Sequence, residues 1–307
     1  MTTVIIGGTG FLGRHLCEAF ARAGQTATVI AHNPDYVFLE NLIQPMPAAE
    51  LGTQEADEAL ATADTVIHLA YSSKPASNQN AEGMEIPQNV QPFLVMMGQL
   101  ASAGKNPRVI YASTGGQIYG GGHDAPIPET AAPSPATPYA LGKLMIEEAL
   151  AYFGRKGAIQ PTVLRLANPV GRWQLGRRHG FVSAAVERVL GGKPLTLFGP
   201  GQNQRDYFDA DEFSDFLISL LARSGSIEGV FNIGSGLSLT ERQVLSVVEE
   251  TLGRAPIIDE KPARAFDLPY AVLDCGAAAE QLGWASKTSL AETVAKVASG
   301  VDPSWKG

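Results

Sequence analysis

Residues 3–13 read TVIIGGTGFLG, a short apolar run that passes at once into a glycine-rich turn and then into an apolar helical pattern. Gly7, Gly10 and Gly13 form a GxxGxxG spacing. A turn from strand to helix needs glycine for its tight bend and for close approach of the backbone to a ligand, and the helix N-terminus attracts anions. The stretch therefore predicts a buried first strand and a cradle for the pyrophosphate of a dinucleotide.

Apolar runs of strand length alternate with helical segments through the first half of the chain. Strands are predicted at Thr3–Ile6, Ala27–Ala31, Thr65–Ala70, Arg108–Ala112, Thr162–Leu166 and Gly229–Gly234. Helices are predicted at Phe11–Ala23, Phe181–Leu190, Phe213–Ala222 and Leu239–Leu252. Strands that are apolar on both faces and joined by helices indicate an α/β fold with a Rossmann-type doubly wound parallel sheet. The Pro-rich residues 35–55 show no clean third strand.

The pattern changes near residue 168, where glycine and arginine clusters follow the last of the closely spaced strands. A chain of 307 residues suits one large α/β domain with an appended lobe. We expect a dinucleotide-binding domain over residues 1–167, rejoined by about residues 207–235. A smaller C-terminal α/β substrate lobe is expected over residues 168–206 and 236–307.

The composition excludes several classes of protein. The net charge of −8 argues against a surface for nucleic acid or for an anionic membrane. Cys17 and Cys275 are far apart in sequence, so neither a disulfide framework nor a metal site is predicted. The first residues enter a strand without a leader-like pattern, and no uncharged apolar stretch approaches the roughly 20 residues that span a bilayer. We therefore expect a cytoplasmic protein.

The segment YALGK, from Tyr139 to Lys143, follows Pro138 at the start of a helical run. The i, i+4 spacing puts the tyrosine and the lysine on one face of a helix. A phenol with a pKa of about 10 is a poor base at neutral pH, but a nearby ammonium and an oxidised nicotinamide favour the phenolate. Tyr139 would then exchange a proton with a substrate hydroxyl while the cofactor exchanges a hydride.

The segment STGGQIYG, from Ser113 to Gly120, ends a predicted strand about 25 residues before the tyrosine, at the sheet edge where parallel sheets bind ligands. It is similar to the S-S/T-G-G-x-x-Y-G motif of sugar-nucleotide epimerases. With the glycine turn and the YxxxK motif, the chain resembles extended short-chain dehydrogenases, in particular the NAD-dependent nucleotide-sugar epimerase/dehydratase family. The resemblance implies a catalytic triad of Thr114, Tyr139 and Lys143, with Thr114 preferred to Ser113.

The resemblance implies NAD as the cofactor, with NADP as the alternative. The family's acidic residue at the end of the second strand is replaced by Ala31, and no arginine follows to bind a 2′-phosphate. His32 either touches the ribose or lies in a solvated loop. The cofactor-binding residues that the resemblance implies are Gly7, Thr9, Gly10, Phe11, Leu12, Gly13, His32, Leu69, Ala70, Asn89, Tyr139 and Lys143.

Besides Thr114, three residues are implied to bind the substrate, each in a motif similar to the family's. Asn168 ends LRLAN, Arg205 lies in FGPGQNQRDY, and Arg264 lies in PARAFD. Two arginines would bind a diphosphate bidentately, which lysine does less well. The alternative for Arg205 is a salt bridge with Asp206 or Asp209.

Dehydratases of this family carry acidic residues directly after the catalytic threonine, where this chain has Gly115 and Gly116. The resemblance therefore implies a nucleotide-sugar 4-epimerase that works through transient hydride transfer and a 4-keto intermediate. The alternative is an NAD(P)H-dependent reductase of a 4-keto nucleotide sugar, which shares every motif. A third hypothesis, a non-catalytic dinucleotide-sensing module, is disfavoured because YxxxK is retained. The family also implies a homodimer.

Overall fold

The structure is a computed structural model that describes residues 1–74, 82–174, 180–225, 227–264 and 266–305. Its strands are β1 (Thr3–Ile6), β2 (Thr28–Ala31), β3 (Ala48–Glu50), β4 (Thr65–His68), β5 (Arg108–Thr114), β6 (Gln160–Leu166), β7 (Asn168–Val170), β8 (Leu195–Phe198), β9 (Gln204–Arg205), β10 (Tyr207–Asp209), β11 (Gly229–Ile233), β12 (Leu239–Thr240), β13 (Ile258–Lys261) and β14 (Tyr270–Ala271).

The α-helices are α1 (Phe11–Arg22), α2 (Tyr36–Glu40), α3 (Gln54–Thr62), α4 (Gln91–Ala103), α5 (Gly115–Ile118), α6 (Pro138–Arg155), α7 (Phe181–Leu190), α8 (Ala210–Leu221), α9 (Glu241–Leu252) and α10 (Leu290–Val301). Short 3-10 helices span Glu82–Met84 and Arg172–Gln174, and π-helical turns span Ile86–Val90 and Ala278–Leu282. The helix predicted at 181–190 has the predicted bounds, and the helices predicted from residues 11, 213 and 239 are present with ends shifted by one to three residues.

The main sheet is a seven-stranded parallel sheet in the order β11-β6-β5-β4-β1-β2-β3. In the middle of β1, Val4 pairs with Thr28 of β2 on one side and with Val66 of β4 on the other. The strand order reverses between β1 and β4, and ligands of such sheets bind beyond the carboxyl ends of the strands at this point. The predicted doubly wound parallel sheet is confirmed.

The strand β3 corrects the prediction that residues 35–55 contain no clear third strand. Ala48 pairs with Val29 of β2, and the Val29 N–H donates to the Pro47 carbonyl oxygen at 2.9 Å. The strand has three residues, AAE, at the edge of the sheet. Alanine and glutamate have a low strand propensity, so only pairing with β2 makes this segment a strand.

The chain divides into two compact units. One comprises residues 1–114, 137–165 and 214–231, and the other comprises residues 115–136, 166–213 and 232–307. The sequence prediction assigned residues 115–136 to the first domain. They belong to the second unit because Ile127 bridges to Leu273 and the Tyr119 hydroxyl donates to the Asn232 side chain at 2.7 Å.

Each unit has its own apolar core. In the first, Ile30, Val66, Phe93 and Val109 belong to a buried cluster between the sheet strands and their helices. In the second unit, helices α7, α9 and α10 pack against one another around a buried cluster that includes Val186, Val244 and Val297. Because the sheet strands carry apolar residues on both faces, helices must cover both sides of the sheet.

Candidate active site

The glycine turn after β1 is packed too closely to admit side chains at two of its glycines. Gly7 has a φ of +83°, and a Cβ there would lie 2.9 Å from the Ala70 Cα. A Cβ at Gly13 would overlap the Gly7 carbonyl oxygen. Gly10 caps α1 without a side-chain hydrogen bond, and the N-terminus of a helix attracts an anion through its dipole and its backbone N–H groups. The turn therefore fits the pyrophosphate of a dinucleotide.

The other turn residues in the cofactor prediction hold the turn in place. The backbone carbonyl oxygen of Thr9 accepts a hydrogen bond from Arg14 Nε at 3.2 Å. Phe11 is buried, and its ring meets the His15 ring edge to face at 5.5 Å. Leu12 is partly buried. Their contacts with a dinucleotide stay a prediction.

The loop after β2 holds an ion pair that the sequence analysis missed. His32 is exposed just beyond the strand. Arg14 reaches this loop from α1, where its Nη2 lies 2.5 Å from Asp35 Oδ2. No arginine directly follows β2 in the sequence, so the arginine at this loop comes from the α1 helix. Asp35 also caps α2 by accepting a hydrogen bond from the Phe38 N–H at 3.0 Å.

The ends of β1 and β4 meet at the glycine turn. The Leu69 N–H donates to the Ile6 carbonyl oxygen at 3.0 Å, and Ala70 is the residue that packs against Gly7. The structure thus brings Leu69 and Ala70 to the switch point of the sheet, and their contact with the cofactor stays a prediction.

Asn89 lies in the π-helical turn before α4, where its side-chain amide is engaged by protein groups. Its Oδ1 accepts hydrogen bonds from the Ser72 N–H at 2.8 Å and from the Ser72 hydroxyl at 3.0 Å. Its Nδ2 donates to Glu85 Oε2 at 3.1 Å. Asn89 therefore fixes the loop after β4, and its predicted contact with the cofactor stays a prediction.

Tyr139 stands in the first turn of α6, and the local sequence explains why the helix begins there. Thr137 caps the helix by accepting a hydrogen bond from the Ala140 N–H at 3.2 Å. Pro138 occupies the first helical position, where its missing N–H costs nothing.

Thr114 ends β5, and its side chain lies near enough to the Tyr139 phenol to act on the pKa of Tyr139, which it lowers. Ser113, the neighbouring hydroxyl, instead donates to the Glu147 carboxylate in the core. Side chains alternate in direction along a strand, so two adjacent hydroxyls cannot serve the same site. The structure brings Thr114 and not Ser113 to Tyr139, which supports the preference for Thr114.

Lys143 is buried one turn after the tyrosine, with 4% of its surface exposed. Its Nζ donates to the Ala112 carbonyl oxygen at 2.7 Å and lies 5.9 Å from the centroid of the Tyr139 ring. Burial lowers the pKa of Lys143 to about 7, while the carboxylates of Glu147 and Glu85 act to raise it. The lysine is therefore poised between its charged and neutral forms near neutral pH.

Burial raises the pKa of Tyr139 to about 12, and the charge of Glu85 also acts to raise it, whereas the hydrogen bond with Thr114 acts to lower it. The phenol of the protein by itself is thus protonated at neutral pH. A role as a base requires further positive charge near the ring, which the Lys143 ammonium and an oxidised nicotinamide would supply.

A buried ion pair joins Glu147, one turn after Lys143 on α6, to Arg165 of β6. The Arg165 guanidinium of β6 donates to both carboxylate oxygens of Glu147, with Nη2 at 2.7 Å from Oε2. Both side chains are about 5–6% exposed. The spacing of Tyr139, Lys143 and Glu147 continues the i, i+4 pattern, and this was the signal available in the sequence.

Asn168 is bound into the second unit through its amide. Its Nδ2 donates to the Asp206 carbonyl oxygen at 2.8 Å. The Asp206 carboxylate accepts hydrogen bonds from the Ser235 N–H and hydroxyl, both at 2.7 Å. Asp209 accepts one from Lys296 at 3.0 Å. The two carboxylates named as alternative partners of an arginine are therefore engaged elsewhere.

In the second unit, burial lowers the pKa of Arg205, and the charge of Arg264 acts in the same direction. Arg264 binds Asp267 through two hydrogen bonds of 2.8 Å each, and its guanidinium stacks on the Phe198 ring at 4.2 Å. Stacking and the bidentate pair hold the Arg264 guanidinium in a fixed orientation. Arg205 donates to the Gln204 carbonyl oxygen at 2.9 Å.

Tyr71 and Glu85 also lie at this site, although no motif in the sequence predicts them. Tyr71 Oη donates to Glu85 Oε2 at 2.9 Å, and the Tyr71 ring meets the Tyr139 ring edge to face at 5.3 Å. Neither residue stands in a motif that names a catalytic group, so no pattern pointed to them.

Solved structures and curated proteins resemble this chain over most of its length. The dTDP-4-dehydro-6-deoxyglucose reductase of Escherichia coli is 27% identical over 76% of this chain and 73% of its own. The UDP-glucose 4-epimerase of Thermotoga maritima, solved with UDP-glucose, is 31% identical with a TM-score of 0.85, covering 97% of both chains. MoeE5, in complex with UDP-glucuronic acid and NAD, is 25% identical with a TM-score of 0.88, covering 99% of this chain and 100% of its own.

None of the helices within the described ranges has the length and apolar character needed to span a membrane. A model of the NAD dependent epimerase/dehydratase family matches residues 3–234. The resemblance inferred from the motifs and the assignment of NAD to this family are confirmed, and the proteins similar to this chain are enzymes of sugar nucleotides. The chain therefore belongs to the NAD dependent epimerase/dehydratase family.

Proposed function

We propose that this protein is a nucleotide-sugar 4-epimerase that works by transient hydride transfer to bound NAD through a 4-keto sugar. The observation that carries the proposal is that Thr114 and Lys143 both lie beside Tyr139. The Thr114 side chain acts on the pKa of the Tyr139 phenol, and Lys143 Nζ lies 5.9 Å from the centroid of the Tyr139 ring. Proton transfer and hydride transfer at one carbinol need these three groups together.

In this proposal each residue of the triad has one task. NAD supplies the hydride acceptor when it is bound, and the glycine turn holds its pyrophosphate. The Lys143 ammonium favours the phenolate of Tyr139. Tyr139 takes the proton from the sugar 4-hydroxyl as the hydride leaves the same carbon, and returns it when the hydride comes back to the other face. Thr114 binds the reacting oxygen throughout.

The residues after Thr114 favour epimerisation over dehydration. Elimination from the sugar needs an acid and a base beside the threonine, and Gly115 and Gly116 offer neither. A Cβ placed at Gly116 would meet no atom of the described residues within 4 Å. Open space at this position suits a 4-keto sugar, which must rotate in the site between the two hydride transfers.

The second unit is the proposed substrate lobe, and Asn168, Arg205 and Arg264 are the proposed contacts of the diphosphate. The electrostatic effect of Arg264 on Arg205 supports this, because an anion placed between the two guanidinium groups would be attracted by both. Since the similar epimerase of Thermotoga maritima was solved with UDP-glucose, a UDP-hexose is the first substrate to test.

The test is incubation of the protein with UDP-glucose and a catalytic amount of NAD, followed by NMR of the sugar. We expect the 4-epimer to accumulate without stoichiometric NAD(P)H. A charge-assisted hydrogen bond to phosphate contributes roughly 1.5–3 kcal/mol, so Arg205→Ala should weaken substrate binding about 10- to 150-fold. Affinity for NAD should hardly change, because the arginine is not among the residues expected to bind it.

Arg254→Ala is the matched control, since Arg254 is an exposed arginine of the same unit. A thermal-shift screen with UDP, dTDP, GDP and CDP sugars extends the test to the other nucleotides. The nucleotide-sugar proposal is wrong if none of these ligands stabilises the protein and Arg205→Ala behaves like Arg254→Ala.

The second candidate is an NAD(P)H-dependent reductase of a 4-keto nucleotide sugar. The similarity to the dTDP-4-dehydro-6-deoxyglucose reductase of Escherichia coli favours it. Consumption of one NAD(P)H for each sugar turned over would decide for the reductase, because an epimerase regenerates its cofactor in every cycle.

We also propose that the protein forms a homodimer in the cytoplasm. Along the outer faces of α4 and α6, Leu94, Val95, Leu141 and Met145 are between 37% and 59% exposed. An exposed apolar face on two neighbouring helices marks a protein interface, and a second copy would cover it. Light scattering should give the mass of two chains for the wild type and of one chain for Leu141→Glu. A wild-type mass of one chain contradicts the dimer.

A further inference from the structure

The aromatic ring of Tyr71 contacts both the lysine and the tyrosine of the proposed catalytic triad. Lys143 Nζ stands over the face of this ring, 4.1 Å from its centroid. The ring of Tyr139 meets it edge to face, with centroids 5.3 Å apart and an interplanar angle of 85°. Both are favourable geometries for an aromatic ring, so Tyr71 contacts the lysine and the tyrosine of YxxxK at once.

The hydroxyl of Tyr71 fixes the position of the ring. It donates to Glu85 Oε2 at 2.9 Å and lies 3.4 Å from the Tyr139 carbonyl oxygen. Glu85 is 3% exposed, and Asn89 donates to the same carboxylate oxygen at 3.1 Å. A ring held at its hydroxyl by a buried carboxylate has little freedom to move away from the lysine.

Gly142 provides the space that this arrangement requires. It lies within α6, where glycine destabilises the helix relative to alanine. A Cβ at this position would overlap Tyr71 Oη and lie 3.2 Å from Glu85 Oε2. The tyrosine hydroxyl can therefore approach the helix only because residue 142 has no side chain.

We propose that Tyr71 is a positioning residue for the reaction, which keeps Lys143 in its ammonium form through the face of its ring and orients Tyr139 through its edge. The proposal rests on the proposed roles of Lys143 and Tyr139. The face of an aromatic ring attracts a cation most strongly where water is excluded, as it is around this buried lysine.

Other groups also act on Lys143, and they are common to every variant compared below. The charged and titratable neighbours of its ammonium are Glu85, Glu147, His68, Tyr111 and Tyr139. Because these neighbours are retained, a difference between a phenylalanine and a leucine at position 71 reports the ring itself.

The first experiment titrates Lys143 in the NAD-loaded protein, with lysine-selective ¹⁵N labelling and NMR, without substrate. Tyr71→Phe keeps the ring, so the lysine should titrate within a few tenths of a pH unit of the wild type, while Tyr71→Leu should lower its pKa by about one unit. The high-pH limb of kcat/KM, where the ammonium is lost, should move in the same direction in Tyr71→Leu.

The second experiment uses the steric match between Tyr71 and Gly142, and does not depend on the leucine variant folding. Gly142→Ala should displace the tyrosine hydroxyl and lower kcat/KM roughly ten- to hundredfold, the scale of a small misplacement of catalytic groups. In the double variant Gly142→Ala, Tyr71→Phe the overlapping oxygen is gone, so kcat/KM should recover to within about threefold of Tyr71→Phe alone.

The two readouts separate this proposal from the proposed function. The positioning role is overturned if Lys143 titrates alike in Tyr71→Leu and Tyr71→Phe, or if Tyr71→Phe does not rescue Gly142→Ala. A shifted titration with an unchanged pH profile of turnover supports the contact of Tyr71 with Lys143 and overturns the catalytic role of the lysine instead.

Discussion

Replacing Tyr139 by phenylalanine should lower kcat for the sugar nucleotide by at least about two orders of magnitude, the usual scale for a lost general acid or base. The variant removes only the phenolic hydroxyl beside Thr114 and leaves the ring that packs against Tyr71. The fold and the glycine turn should therefore be preserved. The measurement is turnover followed by NMR, with bound NAD counted by chromatography of the denatured protein.

Tyr152→Phe is the matched control, because Tyr152 lies on the same helix and is 50% exposed. It should retain wild-type turnover and wild-type NAD content. If Tyr139→Phe turns over as fast as Tyr152→Phe, the YxxxK motif has only a structural role in this protein and the proposed mechanism fails.

Replacing Glu147 by glutamine should lower the free energy of unfolding by about 3–5 kcal/mol, because the substitution leaves the Arg165 guanidinium buried without its counter-charge. The effect is large because both side chains are almost completely buried, whereas an exposed pair contributes only about 0–1 kcal/mol. Urea unfolding followed by circular dichroism measures the change.

Glu148→Gln provides the control, since this neighbouring glutamate is exposed and its substitution should change stability by no more than about 0.5 kcal/mol. The double variant Glu147→Leu, Arg165→Met removes both charges and should recover most of the loss. Equal urea midpoints for Glu147→Gln and Glu148→Gln would show that the buried pair does not stabilise the fold.

Most of the fold could be predicted because its strands are marked by composition. Runs such as Val4–Ile6 and Val66–Ile67 are buried on both faces, so they are apolar at every position. The edge strand β3 could not be predicted, because Ala48–Glu50 has no strand-like residues and pairs on one side only. Its conformation depends on β2, which lies in a different part of the sequence.

The candidate site could likewise be predicted only in part from the sequence. The motifs named Thr114, Tyr139 and Lys143, and the structure brings Thr114 and Lys143 close to Tyr139. Arg14 was overlooked because its partner Asp35 lies on the next segment of the chain, beyond β2. No pattern within a single element can reveal a contact between side chains of two elements.

The sequence by itself determined the elements that depend on neighbouring residues. Glycine spacing decides where the chain can turn from β1 into α1, and the i, i+4 spacing places Tyr139 and Lys143 on one helical face. Only the tertiary structure decided what surrounds these groups. The Tyr71 ring contacts Lys143, and the absence of a side chain at Gly142 leaves room for the Tyr71 hydroxyl. Burial lowers the pKa of Lys143 to about 7. Burial and proximity arise from packing between segments that are far apart in the chain, so they exist only once the protein has folded.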